Sequence, residues 1–371
     1  MNRSAPARSP ARPSRHGRAA GRRRRRAITL GAAGAAVLAV AGLVAVLLVT
    51  GALAPRHSAS VAGSATHTPT ATPTATPTPS PKPPERLPIG TIGSYAVAAH
   101  VLHLVDRSRV SLGPRPLPTV VRYPVIPAAA AASGRLARGL FPLVVFAPGF
   151  LQCDGSYASL LNSWASAGYV VAAVEFPRTN CHVTRPDEDD LANQPADMAY
   201  VIGQLLAVSR EPLGVLAGLV NPAEVAVAGH SDGGDTVAAL AANSCCIDHQ
   251  VNAAIVLAGA EWPLMHGSYF ATTAPPMLFV QGDADNINPP ADSVAMYQAD
   301  RSGPRFYLDL FGSGHLPPYE GHGTPEPVVA QVTVDFLNRY LAGQHGAGAA
   351  MWLAGDVPGV AALVGGQQSP P

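Results

Sequence analysis

The chain has 371 residues, 47% of them apolar, enough for one large globular domain or two small ones. The formal net charge of +1 hides an asymmetry: ten of the 25 basic residues fall in the first 26 positions, whereas from Ile89 onward twelve Arg face 23 Asp and Glu, a net of −11. An acidic body of this kind excludes nucleic acid as a partner, because phosphate binding needs a basic surface.

Residues 1–26 form a basic segment ending in the run Arg22 to Arg26. The next stretch, 27–54, has 28 residues without a charge, against about 20 needed to span a bilayer. Positive charge stays on the cytoplasmic side. The pattern therefore predicts a signal-anchor helix with a cytoplasmic N-terminus and an extracytoplasmic remainder. The alternative is a cleaved signal peptide and secretion, for which Ala52-Leu53-Ala54 offers an A-x-A site. Against it, the apolar stretch exceeds the usual 7–15 residues and Pro55 follows the site directly. Residues 55–88 are a Thr/Pro-rich linker with no apolar face to bury, in a composition that favours an extended spacer.

From Ile89 short apolar runs alternate with longer helical patterns, the texture of βαβ units and a mostly parallel sheet. Strands are predicted at Val97–Val105, Pro118–Tyr123, Pro142–Ala147, Tyr169–Glu175, Val225–Ala228, Ala253–Leu257, Met277–Gln281 and Arg305–Leu310. Helices are predicted at Tyr157–Gly168, Asp190–Ser209 and Ser231–Asn243, with a last one from Pro327 to Leu341. The acidic run Asp187 to Asp190 reads as a solvated helix cap. The domain so drawn spans 89–342, and 343–371 reads as a Gly/Ala-rich C-terminal tail with a few apolar residues, left open between weak fold-back and disorder. The fold class is α/β, with helices on both faces of the sheet.

Gly229-His-Ser-Asp-Gly233 fits G-x-S-x-G. It follows the strand VAVA and opens an apolar helix, the setting of a nucleophile elbow. Ser231 is thus the candidate nucleophile, and the amide of Asp232, at a helix N-terminus, a candidate oxyanion donor. Such a serine needs a base and an acid, in the chain order Ser, acid, His. Strand MLFVQ runs into Gly282-Asp-Ala-Asp285 and strand RFYLDL into Phe311-Gly-Ser-Gly-His315. Both lie just past strand ends, where open α/β sheets place their chemistry. His315 is the expected base. Asp285 is preferred to Asp283 as the acid, because Asp283 suits a turn-forming role. The second oxyanion donor is sought in the loop Pro148-Gly149-Phe150-Leu151, where Gly149 permits close approach and the Phe150 amide points to the role. The Phe150 ring is also a candidate acyl contact.

The segments FPLVVFAPGF, WASAGYVVAAVEFP, NQPADMAYVI, VAVAGHSDGGDTV, VQGDADNINPP and GSGHLPPY together resemble the bacterial dienelactone hydrolase-like group of the α/β-hydrolase superfamily. That group is close to platelet-activating-factor acetylhydrolases, chlorophyllases and polyester-cleaving cutinases. The resemblance covers about Ile92 to Leu341. It implies the α/β-hydrolase fold, a serine esterase or lipase-like activity on carboxylic esters, and no cofactor. It also implies that Trp262, after the AAIVLAG strand, is a substrate contact, with a packing tryptophan as the alternative. Two departures stand out: dienelactone hydrolases proper use cysteine where this chain has Ser231, and the oxyanion loop carries Pro148-Gly149 in place of the usual His-Gly. The interval between the AAIVLAG strand and Pro276 leaves no room for a large lid domain.

Two other functions use the same fold. A cell-envelope acyltransferase would employ the same triad, and a non-catalytic surface-anchored binding module would leave Ser231 unreactive. The four cysteines face an oxidising space under this topology. Cys153 and Cys181 follow neighbouring strands, which predicts a disulfide between them. Adjacent Cys245 and Cys246 are left open between a vicinal disulfide and buried thiols. No C-x-x-C pair, H-E-x-x-H motif or dinucleotide fingerprint is present, so neither a metal nor a dinucleotide is expected. Nothing in the sequence sets the oligomeric state.

Overall fold

The computed structural model describes residues 88–125, 139–321 and 323–365. The basic segment, the predicted anchor, nearly all of the linker, His322 and the last six residues lie outside them. Among the described residues, no helix is long and apolar enough to cross a membrane.

Nine strands form one sheet: β1 (Ala96–Asp106), β2 (Arg115–Val125), β3 (Phe141–Ala147), β4 (Val170–Val174), β5 (Val220–His230), β6 (Ala253–Leu257), β7 (Met277–Gly282), β8 (Arg305–Leu310) and β9 (Ala361–Gly365). Their spatial order is β1-β2-β4-β3-β5-β6-β7-β8-β9. Strands β3 to β8 are mutually parallel. The edges are antiparallel, β1 and β2 on one side and β9 on the other. This is the mostly parallel α/β-hydrolase arrangement expected.

The helices are α1 (Ala158–Ala167), α2 (Gln194–Arg210), α3 (Asp232–Ala242), α4 (Pro290–Ala299), α5 (Pro325–Tyr340) and α6 (Ala347–Gly355). Strand β3 is an unbroken apolar run because both of its faces are covered. Leu143, Val145 and Ala147 join a core with residues of α2, α3 and α4, such as Ile202, Val237 and Met296. Val144 and Phe146 point the other way, into a core with Trp164 of α1, Val332 of α5 and Met351 of α6. Helix α1 stops at Gly168, whose left-handed φ of 111° suits a glycine C-cap.

Three readings of the sequence need correction. Residues 343–365, expected as a tail, carry α6 and β9, and β9 pairs with β8 from Phe306↔Gly365 to Leu310↔Ala361. A five-residue strand such as AALVG has too little periodicity to stand out until the free edge of β8 is available to it. Helix α4 was not foreseen. The acidic run before α2 is not simply a solvated cap: it belongs to a 3-10 turn, Glu188–Asn193, and Asp190 is buried against Arg115 of β2, with Nη1 and Nη2 donating to its two oxygens at 2.9 and 2.8 Å. Arg115 also bonds Asp197 of α2 at 2.8 and 2.5 Å. A guanidinium this deep needs carboxylate partners to offset its desolvation, so the pair locks β2 to the start of α2.

Candidate active site

Strand β5 delivers Ser231 at its C-terminal end and α3 begins with the next residue. The link is so tight that Ser231 takes φ 55° and ψ −124°, a strained conformation for a side-chain-bearing residue. The turn also explains its flanking glycines. A Cβ on Gly233 would lie 1.9 Å from the Ala147 carbonyl oxygen, and one on Gly229 would lie 2.1 Å from that of Gly233. Backbone contact this close excludes any side chain.

The loops after β7 and β8 bring the other two groups. The Ser231 hydroxyl lies 2.9 Å from His315 Nε2, and His315 Nδ1 lies 2.7 Å from Asp285 Oδ2. With Nδ1–H donating to the carboxylate, Nε2 is left as the acceptor for the serine proton. Burial works against the Asp285 charge. The hydrogen bond from His315, those from the amides of Ile287 and Asn288, and the His315 charge outweigh it, and the carboxyl lies below its ordinary range. Those amides donate to Oδ1 at 2.8 and 3.0 Å, and Gln281 Nε2 donates to Oδ2 at 3.0 Å. Asp283 sits elsewhere, exposed, accepting the Gly312 amide at 2.6 Å. It ties the β7 loop to the β8 loop, the turn-forming role that the sequence suggested.

The loop after β3 passes beside Ser231: a Cβ on Gly149 would lie 3.1 Å from the Ser231 Cβ. Among the described residues the Phe150 amide donates to no acceptor, whereas the next amide, of Leu151, is used by Thr179 at 2.7 Å. Leu151 adopts φ 59°, the strained conformation that turns this loop. The Phe150 side chain is half-buried. The loop is braced from behind by the Cys153–Cys181 disulfide, with Cα atoms 5.4 Å apart. It is braced also by a buried ion pair in which Arg122 Nη2 donates to Asp154 at 2.9 Å. The cross-link forms because β3 and β4 are adjacent and parallel, so that their following loops leave the same sheet edge. Cys245 and Cys246 are joined as a vicinal disulfide.

Trp262 follows β6 as expected but is only 8% exposed, packed with Leu191, Ala239 and Met265. Its burial is that of a packing tryptophan. Apolar groups that do reach solvent on the loops leaving this sheet edge include Leu151 (42% exposed), Leu264 (55%), Ile287 (60%) and Phe311 (37%), after β3, β6, β7 and β8. Tyr157 and Gln281 were missed from sequence. A glutamine inside the otherwise apolar strand MLFVQG was the available signal; Tyr157, opening a helix, carried none.

The family description "PET hydrolase-like" matches residues 131–346, more than half of the chain, a span that includes Phe150, Ser231, Asp285 and His315. The chain belongs to the PET hydrolase-like family. A bis(hydroxyethyl) terephthalate hydrolase of Streptomyces coelicolor is 25% identical over 205 residues, 55% of this chain and 58% of that protein. The chain thus matches a little over half the length of that relative. The cutinase-like direction of the resemblance read from the motifs agrees with this family.

Proposed function

We propose that the protein is a carboxylic ester hydrolase that works by two-step acyl transfer. Ser231 attacks the ester carbonyl as His315 takes its proton. Asp285 holds the imidazole in the required tautomer and stabilises the imidazolium. The amides of Phe150 and Asp232 receive the oxyanion. The alcohol leaves with the proton from His315, and a water activated by the same imidazole then releases the acid. The observation that carries this reading is the continuous run of short contacts from Ser231 through His315 to Asp285, on a serine whose backbone is strained.

For substrate class, the uncharged aromatic diester named for the Streptomyces relative and the apolar residues Leu151, Ile287 and Phe311 favour neutral esters with an apolar or aromatic acyl part. For location, the arginine run before an uncharged 28-residue stretch and two disulfides support a domain tethered outside the membrane. The test is fluorophosphonate labelling of the full-length chain beside Ser231→Ala, followed by p-nitrophenyl esters of increasing chain length. Labelling of the wild type alone, with turnover of the esters, is expected. A folded wild type that does not label would overturn the hydrolase reading in favour of a binding module.

A further inference from the structure

Behind the serine lies a polar chain that the acyl-transfer scheme does not use. His230, the residue between Gly229 and Ser231, is fully buried. Its Nε2 lies 3.0 Å from the backbone carbonyl of His315, and its Nδ1 lies 2.9 Å from the Tyr157 hydroxyl. The same hydroxyl lies 3.1 Å from the Gly149 amide. Hydrogen-bond chemistry sets every proton in this chain. A carbonyl only accepts, so His230 Nε2 carries the hydrogen. Its Nδ1 is then bare and accepts from the Tyr157 O–H, whose oxygen in turn accepts the Gly149 N–H. The imidazole is held between the rings of His315 and Tyr319, each with its centroid 4.7 Å away. Burial, with the nearby His315 adding, pushes its pKa down to about 3, so this proton arrangement persists at working pH.

The two ends of the chain are the two places where sub-ångström errors matter. One is the backbone of the general base. The other is the residue immediately before the Phe150 amide. We propose that His230 and Tyr157 are positioning residues that set the His315 backbone and the oxyanion loop in register with each other across Ser231. Neither touches substrate. The proposal rests on the ester hydrolase reading and extends it from which groups react to what holds them at their spacing. A bare structural role would predict loss of stability; a positioning role predicts loss in kcat at nearly constant KM, since it acts on transition-state geometry.

The test uses full-length protein, a p-nitrophenyl ester, and the variants Tyr157→Phe, His230→Phe, His230→Gln and the Tyr157→Phe/His230→Phe double variant. Misplacing a reacting group by an ångström costs about 100-fold in rate. His230→Phe, which keeps a ring but loses both bonds, should lower kcat about 100-fold, and Tyr157→Phe, which frees the Gly149 amide and His230 Nδ1 but leaves the bond to the His315 carbonyl, about 10-fold. In each case KM should stay within about 2-fold. His230→Gln, whose Nε2 still reaches the His315 carbonyl, should recover about 10-fold over His230→Phe. Because the chain acts as one unit, the double variant should be no slower than His230→Phe alone. Losses that multiply, losses confined to KM, or unchanged kcat in Tyr157→Phe and His230→Gln would each overturn the proposal. The latter two variants decide the matter even where His230→Phe does not fold. Wild-type turnover abolished by Ser231→Ala, together with unaffected positioning variants, sinks this proposal and leaves the hydrolase reading intact; a wild type without turnover sinks the hydrolase reading itself.

Discussion

The two sides of the proposed catalytic site, that of the proposed base His315 and that of the proposed oxyanion loop, are held by different means. On the base side, the loop after β7 organises itself: Asp285 is gripped by the Ile287 and Asn288 amides of its own turn and by Gln281 four residues before. On the oxyanion side, the loop after β3 is fastened from outside, by a disulfide to the loop after β4, by Arg122 of β2, and through Tyr157 to His230. The difference follows from what each side offers. Asp285 and His315 present side chains, which local hydrogen bonds can aim. The Phe150 loop presents a backbone amide, and an amide is aimed only by fixing the chain itself. Irregular backbone has no ladder to fix it, so distant residues must.

The comparison breaks most sharply on the base side. Asp285→Asn should lower kcat by about 10⁴-fold while leaving the fold intact, since the amide imposes the wrong imidazole tautomer. Asp283→Asn, two residues away, should change kcat by less than about 5-fold, because it serves only the Gly312 turn. Steady-state kinetics on a p-nitrophenyl ester separate the two, and equal losses would reverse the assignment.

On the oxyanion side the expected effect is first on stability. Arg122→Met strands the Asp154 carboxylate in a buried site and should destabilise by about 3 kcal/mol, measured by denaturant unfolding. The Cys153→Ser/Cys181→Ser variant releases a loop with a sequence separation of 28 and should lose about 3 kcal/mol. Its kcat should fall as well, because the loop it frees carries Phe150. Cys245→Ser/Cys246→Ser closes no loop, having a separation of 1, and should change stability by less than about 1 kcal/mol. Thermal unfolding of both double variants, with ester turnover alongside, reads the contrast.

The smallest effect concerns Asp309 of β8. Burial, with the charge of Asp283 adding, pushes its pKa up to about 6. A carboxyl raised in the folded state stabilises most below its unfolded pKa of about 4 and loses that contribution as pH rises through about 6. Asp309→Asn should therefore gain in melting temperature relative to wild type between pH 4 and pH 7, then keep a constant advantage above that. A gain independent of pH would show that Asp309 does not titrate in this window.

Much of this molecule is legible in one dimension because its signals are local. The parallel strands appear as short apolar runs, since both faces of β3 to β8 are covered. Ser231 is marked by the glycines its turn requires, and His315 by its place after a strand. The acid was narrowed to two residues, and turn chemistry favoured the one that the structure brings to His315. What stayed hidden depends on partners far along the chain. The fold-back of α6 and β9 needs the edge of β8. The burial of Asp190 needs Arg115, some 75 residues earlier. Tyr157 and His230 are 73 positions apart and come together only because Tyr157 packs on Phe146 of β3, the strand beside β5. The fold class, and the side chains proposed to react, can be read from the chain alone, because backbone strain and strand patterning are written in neighbouring residues. Tertiary structure alone decided how those side chains are held, because a hydrogen bond between distant residues leaves no period or motif in the chain that makes it.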